Sequence, residues 1–127
     1  MDLFDTTELT LTAAMRGATA RQSALSDNLA NADTPGYVRK DVDFHSALQA
    51  ALAGDSTATP SATEASLDNL GFNATPDASG AMRLDGNSID VDKESSELSQ
   101  NALEYQSLEQ VARSRIEILQ SAMGAGS

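Results

Sequence analysis

Residues 28–37 decide how this chain folds, and they read Asn28-Leu29-Ala30-Asn31-Ala32-Asp33-Thr34-Pro35-Gly36-Tyr37. Pro35 cannot donate a backbone hydrogen bond within a helix, and it disfavours the α-helical conformation at Thr34. Gly36 accepts the positive φ that the third position of a type II turn requires. The stretch therefore predicts that a preceding helix ends near Asn31 to Asp33 and that a tight turn follows it.

Before the turn, apolar residues recur at alternating spacings of four and three, as at the a and d positions of a coiled coil. Gln22 interrupts this seam, whose other members are Leu11, Met15, Ala18, Leu25, Leu29 and Ala32. A neighbouring row of small residues would let a second backbone approach closely: Ala13, Ala14, Gly17, Ala20 and Ala24. We predict a helix from about Thr6 that is contacted on more than one side.

A second seam with the same spacing runs through the C-terminal part of the chain. Ser95 and Glu109 interrupt it, and its members are Val91, Leu98, Ala102, Tyr105, Ala112, Ile116, Leu119 and Met123. Asp90 is the predicted N-cap of this helix, and Asp92 and Glu94 place negative charge in its first turn, where the helix dipole favours it.

At ~1.5 Å per residue the two helices would be roughly 40 and 50 Å long. We therefore predict an all-α fold, an elongated antiparallel coiled coil of the N- and C-terminal helices with an irregular, partly flexible middle segment. Two helices packed along one seam leave the flanking apolar residues in water, so self-packing alone is the less favoured interpretation. The remaining apolar surface predicts contacts with neighbouring molecules.

The chain between the two helices divides into two parts. Val38 and Val42 suit a short extended segment, followed by a small helix near His45 to Ala53 with Phe44, Leu48 and Leu52 on its buried face. Residues 54–83 are rich in Ser, Thr, Ala and Gly, a composition typical of a flexible excursion. We predict one discontinuous coiled-coil domain from residues 1–53 and 84–127.

Two stretches of this sequence resemble those of a known family. Ala24-Leu25-Ser26-Asp27 together with residues 28–37 is similar to the N-terminal signature of bacterial flagellar rod and hook proteins. The stretches Tyr37-Val38-Arg39-Lys40-Asp41-Val42-Asp43-Phe44 and Asp85-Gly86-Asn87-Ser88-Ile89-Asp90-Val91-Asp92-Lys93-Glu94 resemble the proximal rod proteins of this family most. The resemblance extends over roughly residues 6–48 and 84–123.

The resemblance implies a structural subunit of the flagellar basal-body rod that assembles helically and transmits torque. It implies as partners other rod proteins, further copies of the chain, and the membrane-ring and export-gate components at the base of the rod. It also implies a periplasmic location reached by type III export without a cleaved signal peptide, although Met1–Asp5 and the rest of the sequence alone would predict a cytoplasmic protein. A different rod protein of similar length is the alternative within the family.

Composition excludes several other classes. The chain has 127 residues, a formal net charge of −11, 4% aromatic residues and no cysteine. Nucleic-acid binding needs a clustered basic face, which Arg39-Lys40 is too small to provide. No apolar run approaches the roughly 20 residues of a membrane span. An acidic export chaperone would share the charge, but it gives no reason for the turn at Pro35-Gly36.

No catalytic, metal or cofactor site is predicted, and no small-molecule substrate. His45 is the single histidine, and no local spacing supplies it with a nucleophile or converging carboxylates. Asp85, Asn87, Asp90 and Asp92 invite a calcium interpretation, but Ile89 occupies the third ligand position of the EF-hand pattern. A turn followed by a helix cap explains these residues better, and an enzyme is the least favoured class.

Overall fold

The computed structural model describes residues 6–53 and 60–124. In chain order they form α1 (Thr6–Ala30), β1 (Lys40–Asp41), α2 (Phe44–Leu52), α3 (Pro60–Asp68), β2 (Thr75–Pro76) and α4 (Val91–Gly124). In this part of the chain, no helix is long and apolar enough to cross a membrane.

Helices α1 and α4 form an antiparallel pair that gives the molecule its long axis. Asn28, near the end of α1, contacts Glu94 in the first turn of α4. Ala18, ten residues earlier in α1, accepts a hydrogen bond from Asn101, seven residues later in α4. With 25 and 34 residues, the helices are about 37 and 51 Å long at 1.5 Å per residue. The predicted all-α fold with paired terminal helices is confirmed.

Gly17, in the row of small residues of α1, is covered by the chain's own α2. A Cβ atom added at Gly17 would lie 2.5 Å from the Cβ of Phe44, so only glycine permits this approach. Phe44 and Ala18 belong to the buried core cluster, together with Ala24 and Val42. The close approach predicted for this row of α1 is therefore made within the subunit.

Helix α2 confirms the predicted small helix after the extended segment. The Asp43 side chain caps its first turn by accepting a hydrogen bond from the Ser46 backbone N–H. Phe44 is buried, and its ring packs edge-on against Phe72 with centroids 6.4 Å apart. Leu52 was wrongly predicted to be buried, because it lies beyond the core and is 46% exposed.

The middle of the chain contributes α3 and β2. Leu67 of α3 is fully buried, and Arg16 of α1 donates hydrogen bonds to the carbonyl oxygens of Leu67 and Asp68. Strand β2 pairs antiparallel with β1, with Lys40 opposite Pro76 and Asp41 opposite Thr75. Residues 54–59 lie outside the described part of the chain, and the flexibility of residues 54–83 stays a prediction.

Candidate functional site

The signature turn, residues 28–37, adopts the conformation that its Pro-Gly pair predicts. Helix α1 ends at Ala30, and Gly36 has a φ of +73°. The Tyr37 N–H donates to the Thr34 carbonyl oxygen at 3.2 Å, which closes the turn. The Thr34 hydroxyl also donates a hydrogen bond to the Asn31 side-chain oxygen, and this contact within the turn stabilises it further.

The side chain of Asn87, in the segment that precedes α4, binds the signature turn. Its side-chain nitrogen lies 3.0 Å from the Asn31 carbonyl oxygen, 3.1 Å from that of Ala32 and 2.7 Å from that of Thr34. Its side-chain oxygen accepts a hydrogen bond from the Ile89 N–H. These three carbonyl oxygens lie in the turn that follows α1, and each accepts a second hydrogen bond, from the Thr34 N–H, the Arg83 side chain and the Tyr37 N–H respectively. The buried Asn87 amide therefore adds a donor to the signature turn.

Backbone contacts join the turn to the second signature segment, residues 85–94. The Gly36 N–H donates to the Asp85 carbonyl oxygen at 2.9 Å, and the Ser88 N–H donates to that of Tyr37 at 3.1 Å. Gly86 has a φ of +79°, and a Cβ atom there would lie 3.3 Å from the Gly36 Cα. Both glycines are therefore required by conformation or by close approach.

Asn28 connects three parts of the chain. Its side chain donates to the Lys40 carbonyl oxygen at 2.7 Å and to a carboxylate oxygen of Glu94 at 3.0 Å, and it accepts from the Lys40 N–H at 3.0 Å. Asn28 and Glu94 are both fully buried. The start of α4, the end of α1 and strand β1 are thus fixed to one another by one amide group.

Arg39 lies at the centre of a buried ion network. Its guanidinium is 2% exposed and pairs with Glu94, with Asp77, with Glu97 at 2.5 Å and with Asp41 at 3.3 Å. Burial alone would lower the pKa of Arg39, but the hydrogen bond and the charge of Glu94, together with the charges of Glu97 and Asp41, outweigh it and raise the pKa above its usual value. The guanidinium therefore stays charged, as the buried Glu94 carboxylate requires.

Arg21 extends this network along α1. It donates to Asp41 at 2.8 Å and to Glu97 at 3.1 Å. Burial would raise the pKa of Asp41, but the hydrogen bonds from Arg21 and the Val42 N–H, together with the charges of Arg21 and Arg39, outweigh it and lower the pKa below its ordinary value. We name the buried side chains Asn28, Arg39, Asn87, Ser88 and Glu94 the polar joint.

The residues of the two predicted seams differ in how deeply they are buried. Ala18 and Leu25 of α1 are buried, and Leu11, Met15 and Leu29 are half-buried. In α4 the buried residues are Glu94 and Asn101, which the seam does not include. The seam residues of α4 divide into a half-buried set, Leu98, Ala102, Tyr105 and Ala112, and an exposed set, Val91, Ile116, Leu119 and Met123.

Gln22, the polar interruption in the first seam, has a partner. Asn101 is 1% exposed and donates to the Gln22 side-chain oxygen at 2.8 Å and to the Ala18 carbonyl oxygen at 2.9 Å. Glu94 and Asn101 are one heptad apart, so they share a face of α4. This spacing of two polar residues was the signal that could have located the face that meets α1.

The remaining sequence candidates are structural. Asp85 accepts a hydrogen bond from the Asn87 N–H, which lowers the pKa of its carboxyl group. Asp90 accepts from the Asp92 and Lys93 N–H groups, as its predicted role of N-cap requires. His45 Nε2 lies 2.6 Å from Glu104 and links α2 to α4 at the surface. The described residues contain no cluster of three or more His, Asp or Glu side chains that could hold a metal.

Comparison with known proteins bears on both signature segments. The family model described as flagella basal body rod protein matches residues 9–37. The chain is 30% identical over 128 residues to the flagellar basal body rod protein FlgB of Bacillus subtilis strain 168, with 99% of each chain covered. It is 34% identical over 96 residues to FlgB of Escherichia coli K12, covering 68% of this chain and 70% of the relative. FlgB of Aeromonas hydrophila is 36% identical over 114 residues, with 81% of each chain covered.

The near-complete match to a FlgB relative covers the turn, the polar joint and both long helices. Proteins of this kind are structural parts of the flagellum. This chain therefore belongs to the FlgB family of flagellar basal-body rod proteins.

Proposed function

We propose that this chain is a proximal rod subunit that assembles through the C-terminal half of α4, while its signature residues act inside the subunit. The partners are other rod proteins and further copies of the chain, in the periplasm, with the membrane-ring and export-gate components at the base of the rod. Helical assembly through contacts that do not close would build a shaft able to transmit torque.

The observation that carries this proposal is the uneven burial of α4. Its first half packs on α1 through Glu94 and Asn101. Its second half leaves large apolar side chains in contact with solvent: Val111 at 56%, Ile116 at 52%, Ile118 at 68%, Leu119 at 38% and Met123 at 65% exposure. Large apolar side chains exposed together on one half of a helix are typical of a protein interface.

The polar joint supports the second part of the proposal. Asn28, Arg39, Asn87 and Glu94 are each at most 2% exposed and already hydrogen-bonded within the subunit, so they have little surface to offer a neighbour. Their contacts fix the angle and register between α1 and α4. A subunit that transmits torque needs such a rigid connection between the elements that carry its contacts.

The two ends of the predicted α4 seam need different substitutions in a test of assembly. Leu98 is half-buried beside the network, so Leu98→Asp would disturb the subunit itself. Glu97 pairs with Arg21 and Arg39, and is therefore unsuitable as a silent charge control. Ile116 and Leu119 are exposed, and Gln120 is an exposed neighbour outside the apolar set.

The test replaces the chain in motile cells by the double variant Ile116→Asp, Leu119→Asp. A carboxylate buried without a partner costs on the order of several kcal/mol, so we expect the variant to be as helical as the parent in circular dichroism but absent from purified basal bodies. Gln120→Asp adds one charge beside the surface and should assemble. Normal basal bodies with the double variant would exclude this half of α4 as an assembly surface.

A further inference from the structure

An open groove lies at the end of the molecule remote from the polar joint. Its volume is about 920 Å³, and it runs between the first turns of α1 and the second half of α4. The apolar part of its lining comes from Leu11, Ala14, Leu52, Leu108, Val111 and Ile118. We name it the distal groove.

A second apolar surface follows a different side of the same helix. We name Ala112, Ile116, Leu119 and Met123 the C-terminal stripe; their spacing of four, three and four places them on one face. At 3.6 residues per turn, Ile116 and Met123 lie roughly 140° around α4 from Val111 and Ile118. One subunit therefore carries two apolar surfaces that point in different directions.

We propose that the distal groove of one subunit receives the C-terminal stripe of a second copy of this chain. The inference rests on the proposed function, and it names the partner of the same half of α4. A contact between two different surfaces is heterologous, so each subunit uses its stripe on one side and its groove on the other. Repetition of this contact places α4 of each copy beside α4 and α1 of the next.

The dimensions of the two surfaces agree. The groove extends along α4 from Leu108 to Ile118, roughly 15 Å, and the stripe extends from Ala112 to Met123, roughly 17 Å, at 1.5 Å per residue. Recognition of about three helical turns by a groove between two helices is a common mode of helix binding, in which apolar side chains spaced by three and four residues insert into the groove.

Charge favours a second copy at this place. The chain carries a net charge of −11, so two copies repel each other over most of their surface. Residues 6–18 contain one acidic and one basic residue, Glu8 and Arg16. Residues 109–124 contain two of each, Glu109, Glu117, Arg113 and Arg115. This end of the molecule is electrically balanced, and two acidic subunits can meet here without the repulsion that acts elsewhere.

Disulfide trapping tests the proposed contact, because the sequence has no cysteine. Val111→Cys places a thiol in the groove, and Met123→Cys places one on the stripe. The two positions are twelve residues apart on α4, about 18 Å, whereas a disulfide needs Cα atoms within about 7 Å. Any disulfide that joins these two positions must therefore connect two subunits.

Basal bodies are isolated from motile cells that carry the double variant and are then mildly oxidised. We expect multimers on non-reducing gels, and peptides that join position 111 of one copy to position 123 of another. Each single variant should give little disulfide. The pair Gln106→Cys, Met123→Cys is the matched control, because Gln106 is exposed but lies roughly 140° around α4 from Val111 and Ile118 at 3.6 residues per turn.

Three results would overturn the inference while the proposed function stands: basal bodies that contain the chain but give no link, links between identical positions, or links from position 111 to a different protein. Absence of the parent chain from basal bodies would instead contradict the proposed function. Should the first pair not assemble, Thr10→Cys with Met123→Cys tests the same contact from the α1 wall of the groove, and the same outcomes decide.

Discussion

The side-chain nitrogen of Asn87 lies 2.7 Å from the carbonyl oxygen of Thr34, across 53 residues of chain. Through this contact the segment that precedes α4 binds the turn that follows α1. The two stretches that resemble rod proteins are therefore bound to each other within the subunit.

Asn87→Ala should destabilise the subunit by about 1–3 kcal/mol, because the buried Ile89 N–H would lose its acceptor and the carbonyl oxygens of the signature turn would each lose one of two donors. The measurement is the midpoint of thermal or urea unfolding. Asn69→Ala is the matched control, since the Asn69 side chain is exposed and donates only to the nearby Ala65 carbonyl oxygen. Equal effects of the two substitutions would mean that the polar joint contributes no more than a surface contact.

Arg39→Met should cost about 3–5 kcal/mol of the free energy of unfolding, because it leaves the Glu94 carboxylate buried without its charged partner. The double variant Arg39→Met, Glu94→Met should recover part of this loss, as it removes the stranded charge. Arg113→Met removes a guanidinium that is 74% exposed and pairs with Glu109 one turn away, and it should have little effect. No recovery in the double variant would show that packing of the Arg39 side chain matters more than its charge.

Gly86→Ala should destabilise the chain by about 1–2 kcal/mol, since an alanine at positive φ pays this penalty even without a clash. The neighbouring Gly36 backbone makes the site tighter. Gly71→Ala is the control, because Gly71 has no atoms within 4 Å of an added Cβ and no positive φ. Unfolding midpoints of the two variants compare them, and an unchanged midpoint for Gly86→Ala would contradict the turn geometry.

Stability should fall in acid partly through Asp41. Its pKa is lower in the folded chain than the ordinary value of 3.8, because hydrogen bonds from Arg21 and the Val42 N–H and the nearby arginine charges together outweigh burial. Such a group contributes stability that is fully present above its unfolded pKa and is lost as the pH falls through its folded pKa. Urea unfolding at several pH values should therefore show the parent and Asp41→Asn converging below about pH 4. A constant difference between them at all pH values would exclude this coupling.

The long helices and the turn follow from the sequence because periodic apolar residues and a Pro-Gly pair are local signals. The polar joint does not. Glu94 looks like an acidic residue placed for the helix dipole, yet it faces Arg39 in the interior. Its partner is 55 residues away, and no periodicity links the two positions.

The apolar pattern did not predict the face by which α4 contacts α1, for the same reason. Asn101 is polar, so an apolar pattern passes over it, although it is buried against Ala18 and Gln22. Helix α3 offered only Leu67 as a buried apolar anchor, within a segment whose composition is typical of loops. Pro60 at its first position was the available signal, since proline is common at the first residue of a helix.

Thiol labelling of the free subunit and of assembled basal bodies tests most directly whether the polar joint is internal and the end of α4 is the assembly surface. Met123→Cys should react in the free subunit and become protected in basal bodies, since Met123 is 65% exposed. Ser88→Cys should be protected in both states, since Ser88 is 5% exposed within the subunit. Equal reactivity of Met123→Cys in both states, or protection of Ser88→Cys only after assembly, would contradict this division of roles.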